Sequence, residues 1–201
     1  MEITVEMVKE LRQATGAGVL DCQEALEASD GDFESAVTHL REKGLSEAAK
    51  RADQAASEGV IEVYSHLGNR IGVMLELNCQ TDFVARTEEF QTLAHDLALH
   101  IAFAAPRWLM RDQIPTEEIS AEREVYENWA LEEKKPEHIV DRIVEGKLEK
   151  FYGEVCLLEQ PFVKDEDRTV EEVLNEHIAL LGENIVVRRF SRYELGENLE
   201  V

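Results

Sequence analysis

Along residues 1–44 the apolar positions recur every three or four places, which predicts three short helices. Thr4 is placed to cap the first, Glu6 sits in its opening turn, and Val5, Val8 and Leu11 share one side. Thr15-Gly-Ala-Gly18 interrupts the pattern. A second helix follows over about Val19–Ser29, with Val19, Cys22, Ala25, Leu26 and Ser29 on one stripe. Ser29-Asp-Gly-Asp32 makes a turn, Asp32 caps the third helix, and Phe33, Ala36, Val37 and Leu40 form its face up to a stop at Gly44. Helices this short are marginal alone, so they must pack together as a small bundle. Leu20 breaks the pattern: at about 100° per residue it lies roughly 200° around the helix from Cys22 and faces away from the stripe. It is either a stray surface leucine or a partner contact.

Ser46–Glu58 is Ala-rich and charged, which predicts a helical or flexible linker. From Gly59 the apolar period falls to two. Ile61 and Val63 alternate with Glu62 and Tyr64, Leu67-Gly-Asn69 turns the chain, and Ile71, Val73, Leu75 and Leu77 follow on one face. That pattern predicts a β-hairpin with one face buried. The chain next passes through Leu77-Asn-Cys-Gln-Thr-Asp-Phe-Val-Ala-Arg86 into an amphipathic helix carrying Phe90, Leu93, Leu97 and Ile101, which ends before Pro106. After a loop over Arg107–Pro115, Thr116 caps an acidic helix to about Glu133. Pro136 opens another, with Ile139, Val140, Ile143, Val144, Leu148 and Phe151 on one face. Thr169-Val-Glu-Glu172 reads as a capping box ahead of Val173, Leu174, Ile178 and Leu181, and the stop falls at Gly182. Asn184–Leu195 alternates again and predicts a strand added to the hairpin. Helices gathered between strands distant in sequence describe an antiparallel α+β core. The expected division is a three-helix domain over 1–45, a linker over 46–58 and an α+β core over 59–201.

Composition narrows the function. With 44% apolar and 32% charged residues in 201, the chain is a soluble globular protein of one domain, or of one medium domain with a small satellite. A net charge of −22 repels a phosphate backbone, and the basic pieces at Lys50–Arg51 and Arg188–Arg192 are too small for a nucleic-acid footprint, so no direct nucleic-acid binding is expected. The longest apolar run, Leu97–Pro106, is broken by His100 and falls far short of the ~20 residues of a membrane span, so no membrane association is expected. The N-terminus is acidic from its second residue and reads as no secretory signal. Three cysteines, Cys22, Cys79 and Cys156, form no CxxC and fit buried thiols in a reducing cytoplasm.

The search for bond-making chemistry returns little. The glycines at Gly16 and Gly18 follow no strand and precede no Lys-Ser or Lys-Thr, so a tight interhelical turn explains them better than a phosphate loop. The six histidines show no HxxxH or HExxH spacing, so no metal site is expected. No GxSxG elbow is present, and no cysteine lies within a few residues of a histidine. What stands out is Asp82 beside Phe83. The pair is either a helix cap followed by a core phenylalanine, with Thr87 starting the longer helix, or a tip built to enter another molecule.

Four blocks carry a resemblance: VKELRQATGAGVLDCQEAL (Val8–Leu26), LELNCQTDFVARTEEF (Leu75–Phe90), IVEGKLEKFYGEVCLLEQPFVKDEDRTV (Ile143–Val170) and GENIVVRRF (Gly182–Phe190). In that order they resemble translation elongation factor Ts. The resemblance implies a three-helix, ubiquitin-associated-like N-terminal domain joined to an α+β dimerisation core with a small antiparallel sheet and flanking helices. It implies a guanine-nucleotide exchange factor for the GTPase elongation factor Tu, which releases GDP, catalyses no bond chemistry and uses no cofactor. It implies that Thr81, Asp82, Phe83 and Val84 form the tip that dislodges Mg²⁺ from the partner. It further implies that the apolar pair after the second glycine, Val19 and Leu20, touches the partner's GTP-binding domain, with help from Lys9 and Arg12. Helical geometry turns Leu20 outward and Val19 partly inward, which favours Leu20.

The chain departs from the family pattern in two places. The segment before the hairpin is less basic than the family's, and neither a second core subdomain nor a heptad stretch is evident. The chain therefore resembles the short, Thermus-like form, which implies a homodimer that binds two elongation factor Tu molecules. Two alternatives belong to other classes. One is a non-catalytic interaction adaptor with a ubiquitin-associated-like domain; the other is a hydrolase whose site is dispersed in sequence.

Overall fold

The computed structural model describes residues 3–66 and 68–197, so Met1, Glu2 and the Leu67 position of the expected turn lie outside the described residues. Thr4 caps α1 (Val5–Thr15), accepting from the Met7 amide at 3.3 Å, and Gly16 closes it in the left-handed region at φ 70°. Helix α2 (Val19–Ala28) buries Cys22, Ala25 and Leu26. Asp32 caps α3 (Phe33–Arg51) through the Ser35 amide at 2.9 Å, and the Ser35 side chain, followed by that amide, holds its carboxyl below the usual range. The strands and helices that follow are β1 (Glu58–Ser65), β2 (Ile71–Cys79), α4 (Asp82–Ala85), α5 (Glu88–Ala104), α6 (Thr116–Glu132) and α7 (Glu137–Val155). The chain ends with β3 (Pro161–Phe162), β4 (Asp165–Thr169), α8 (Val170–Leu181) and β5 (Val186–Glu194). The class is α+β: a three-stranded sheet ordered β1-β2-β5, a separate β3–β4 pair, and helices between them. The small β3–β4 pair was not legible in the alternation.

The chain divides into two compact units. One comprises Met1–Val60, Leu77–Gln91 and Glu172–Val186; the other comprises Ile61–Glu76, Thr92–Glu171 and Val187–Val201. In the first, Leu11, Cys22, Ala25, Leu26 and Ala36 make a closed core with Met7, Val8, Phe33, Val37 and Leu40 packed against it. Helix α3 does not stop at Gly44. It runs to Arg51, because Gly44 is buried beside Ala179 of α8, where a Cβ would stand 3.8 Å from the alanine methyl. That packing outweighs the roughly 1 kcal/mol a mid-helix glycine costs. The expected linker is thus helical at its start and held. Ala48 is buried, Arg41 pairs with Glu172, and Arg51 Nε donates to Gly182 O at 2.9 Å.

In the second unit, Ile114, Phe151 and Cys156 form a core cluster with Trp108, Ile119, Tyr152 and Val155, and α6 packs on α7. Pro115 occupies the cap position of α6, so Thr116 is its first helical residue and not its cap. Pro136 likewise stands one place before α7. Tyr64 meets His95 of α5 edge-on at 5.4 Å, Glu62 lies 3.0 Å from the same ring, and Arg192 Nε donates to Ala102 O at 3.3 Å.

These contacts correct the expected face of β1. The His66 amide donates to Ile71 O at 2.9 Å, which sets Tyr64 opposite Val73 and Val63 opposite Met74. Opposed residues share a face. Val73 and Leu75 are buried, whereas Ile61, Val63, Met74 and Tyr193 are 53%, 67%, 53% and 71% exposed. One sheet face is therefore open, with these apolar side chains beside the Glu76–Arg189 ion pair. No helix among the described residues is long and apolar enough to cross a membrane.

Candidate functional site

Strand β2 delivers the chain to Thr81, which stands extended and caps α4 through a 3.4 Å bond from the Val84 amide to its hydroxyl. Thr81 is thus the cap, and Asp82 is the first residue of the turn. Asp82, half-exposed, pairs with the exposed Arg86 at 2.9 Å, an arrangement that contributes little to stability. Thr87 accepts from the Phe90 amide at 3.2 Å at the start of α5, and Phe90 is fully buried. The turn's own inward residue is Ala85, at 5% exposure. Phe83 is 80% exposed. The reading of Phe83 as a core residue at a helix start is therefore excluded: its ring is in water.

The turn is anchored from a distance. Glu183, just beyond α8, accepts from the Gln80 and Thr81 amides at 3.0 Å each and from the Thr81 hydroxyl at 2.6 Å. Gly182 makes this reachable by ending α8 at φ 72°, a conformation glycine enters without penalty. Asn184, nearly fully buried, donates to Ala52 O at 3.3 Å and to Gln54 O at 2.8 Å, and the Gln54 and Gln80 side chains are hydrogen-bonded to each other. Beneath the turn the Cys79 thiol donates to Thr81 O at 3.2 Å; burial, and then the Glu183 carboxylate, push that thiol above its ordinary pKa. Glu58, Gln80, Thr81, Asp82, Phe83 and Arg86 line one open depression. Sequence reasoning missed Glu183, Asn184 and Gln54. No periodicity links them to the tip, although Glu183 and Asn184 fall inside one of the quoted blocks.

The second predicted group lies on the helical bundle. Leu20 is 74% exposed, opposite the buried stripe of Cys22, Ala25 and Leu26. Val19 is 53% exposed, so both members of the pair face water and the partly inward placement expected for Val19 does not hold. It occupies the first residue of α2, where no preceding turn covers it. Lys9 and Arg12 lie exposed on α1. Behind Leu20, Lys43 of α3 donates to Asp21 at 2.8 Å and Glu24 at 2.9 Å, tying α2 to α3. Thr81, Asp82, Phe83 and Val84 are thus gathered on one turn, while the bundle residues lie exposed on α1 and α2. Among the described residues no hydrogen bond or ion pair joins the two groups, and no group of three or more His, Cys, Asp or Glu could hold a metal ion.

With that geometry in place, comparison with known proteins gives one answer. The family model described as "Elongation factor TS" matches residues 4–197. The chain is 56% identical over 200 residues to elongation factor Ts of Syntrophus aciditrophicus, covering 100% of both chains. It is 54% identical over 198 residues to that of Syntrophomonas wolfei, covering 98% of this chain and 92% of the relative. It is 52% identical over 200 residues to that of Geobacter sulfurreducens, covering 100% and 93%. The α+β chain is a translation elongation factor, a component of protein biosynthesis. It belongs to the elongation factor Ts family.

Proposed function

We propose that the chain is a guanine-nucleotide exchange factor for elongation factor Tu, which it opens by pushing the Thr81–Val84 turn into the partner beside its Mg²⁺ site. One observation carries this reading: a phenylalanine ring, Phe83, is held in solvent on a turn that is capped and anchored. A GTPase grips its nucleotide through phosphate contacts and a bridging Mg²⁺, so a partner that prefers the metal-free state releases GDP. The coupling is reciprocal: whatever factor by which the chain weakens GDP, GDP weakens the chain.

Magnitudes require more than one contact. Driving an open state from 1:99 to 99:1 needs about 10⁴-fold differential binding, about 5.5 kcal/mol. Covering one aromatic contributes roughly 1.5–3 kcal/mol. The exposed Leu20 and Val19, with Lys9 and Arg12 nearby in sequence, supply the second surface. In this reading the partner is a protein in the cytoplasm, no nucleic acid is bound directly, and no bond is made or broken by the chain. Two copies pair through the open sheet face of Ile61, Val63, Met74 and Tyr193, giving a homodimer that binds two partner molecules.

The test is release of fluorescent GDP from elongation factor Tu. Phe83→Ala slows promoted release at unchanged circular dichroism; release at the unmutated rate would refute the reading. Leu20→Ala weakens binding in calorimetric titration with helix content intact. Excess GDP competes the chain off its partner, which a simple adaptor would not show.

A further inference from the structure

A turn of four residues cannot hold its own geometry. Helix α4 has one turn, ends in solvent on the Phe83 side, and buries only Ala85. Its intrinsic hydrogen bonds, from the Ala85 amide to Thr81 O at 3.2 Å and from Arg86 to Phe83 O at 3.3 Å, are longer than the usual mode. Something else fixes the direction in which Phe83 points: among the described residues, the charged side chain that reaches the turn from outside it is Glu183, bonded to Gln80 and Thr81.

We infer that Glu183 is a positioning residue for exchange: its carboxylate aims the Phe83 ring by gripping the backbone two residues before it. The inference rests on the exchange reading above. One carboxylate oxygen takes both backbone donors of Gln80 and Thr81, and the other takes the Thr81 hydroxyl. A carboxylate is acceptor-only, so it matches three donors without a mispaired proton. The Thr81 hydroxyl, donating to Glu183, is left with its lone pairs toward the Val84 amide, and that relay orients the cap. The same grip reaches the end of α3, because Asn184 is bonded to Ala52 O and Gln54 O and Gly182 O accepts from Arg51. The turn is therefore registered to the helix that carries the bundle and not merely to its own strand. Misplacement of a reacting or wedging group by a small displacement costs rate more than affinity, because the rest of the surface still binds.

The experiment measures GDP release from the partner GTPase against the concentration of the full chain, for the unmutated protein, Glu183→Ala, Glu183→Gln and Phe83→Ala, with circular dichroism on each. Glu183→Ala lowers the plateau rate about tenfold, the scale set by hydrogen bonds to a charged group, and leaves the half-saturating concentration in place. Glu183→Gln, whose amide oxygen still accepts from both backbone N–H groups, recovers most of the plateau. A merely structural role would do the opposite, raising the half-saturating concentration through loss of folded protein at an unchanged plateau, and that result overturns the inference. If Glu183→Ala keeps the unmutated plateau while Phe83→Ala loses it, the positioning role alone is overturned. If both keep it, the exchange reading falls and takes this inference with it. Should Glu183→Ala not fold, Glu183→Asp keeps the charge and draws the carboxylate back by one methylene from the Gln80 and Thr81 donors: a lowered plateau supports the inference and an unchanged one overturns it.

Discussion

Gly59 and Leu77 approach each other so closely across β1 and β2 that a Cβ on Gly59 would stand 2.1 Å from the Leu77 carbonyl oxygen and 2.8 Å from Asn78 Cα. Both obstacles are backbone, and Gly59 itself sits at φ 144°, where an L side chain is strained. This is the end of the hairpin from which β2 leads to the tip. Gly59→Ala is expected to destabilise the fold by about 2–4 kcal/mol, from the clash together with the dihedral strain. Urea unfolding followed by circular dichroism checks it: the midpoint falls and the slope is unchanged.

His100 gives a pH dependence. It is fully buried, accepts from the Val163 amide at Nδ1 at 3.1 Å and so donates from Nε2 to Gln160 Oε1 at 3.0 Å, with Phe162 stacked on it at 5.8 Å. Burial holds its pKa below the ordinary 6.5, only partly opposed by the Gln160 bond. The unfolded chain therefore binds the proton first as pH falls. This residue's contribution is complete above about pH 6.5, declines as pH drops below it, and is fully lost once pH has passed the lower folded-state value. The unfolding midpoint at pH 5 should lie below that at pH 7.5. Subtracting the same series for His100→Gln isolates the His100 share; equal pH dependence in the two proteins would exclude it.

The open sheet face predicts an assembly. Val63 lies opposite Met74 with both side chains in water, and Tyr193 extends the patch on β5. The chain should sediment as a dimer, and Val63→Glu should shift it to monomer with circular dichroism unchanged, since the residue is not part of the folded chain's core. A monomer in the unmutated protein at micromolar concentration would remove the homodimer from the account.

Leu20 and Phe83 show where reading the sequence reached its limit. Leu20 could be turned outward from Cys22 by helical rotation alone, because α2 has enough turns to define a stripe. Phe83 could not be placed that way. Four residues of α4 define no stripe, and a core phenylalanine and a solvent-facing one read alike in a single turn. Its grip on the fold, Glu183, stands 102 positions away from Thr81, and no local pattern reports a bond between them. Val19 was misplaced for a related reason: the stripe continues through it in sequence, but the first residue of a helix lacks the preceding turn that would cover it.

Local chemistry along the chain determined the caps at Thr4 and Asp32, the left-handed stop at Gly16, the outward Leu20 and the change from helical to strand period at the hairpin. Each depends on dihedral preferences and on donors within four residues. Tertiary structure decided which face of the hairpin was buried, because pairing His66 with Ile71 put Tyr64, and not Val63, opposite Val73. It carried α3 past Gly44 against Ala179 and fastened the Phe83 turn through Glu183. Those outcomes depend on contacts between segments far apart in the chain, whose free energy exceeds local preference and leaves no mark on spacing.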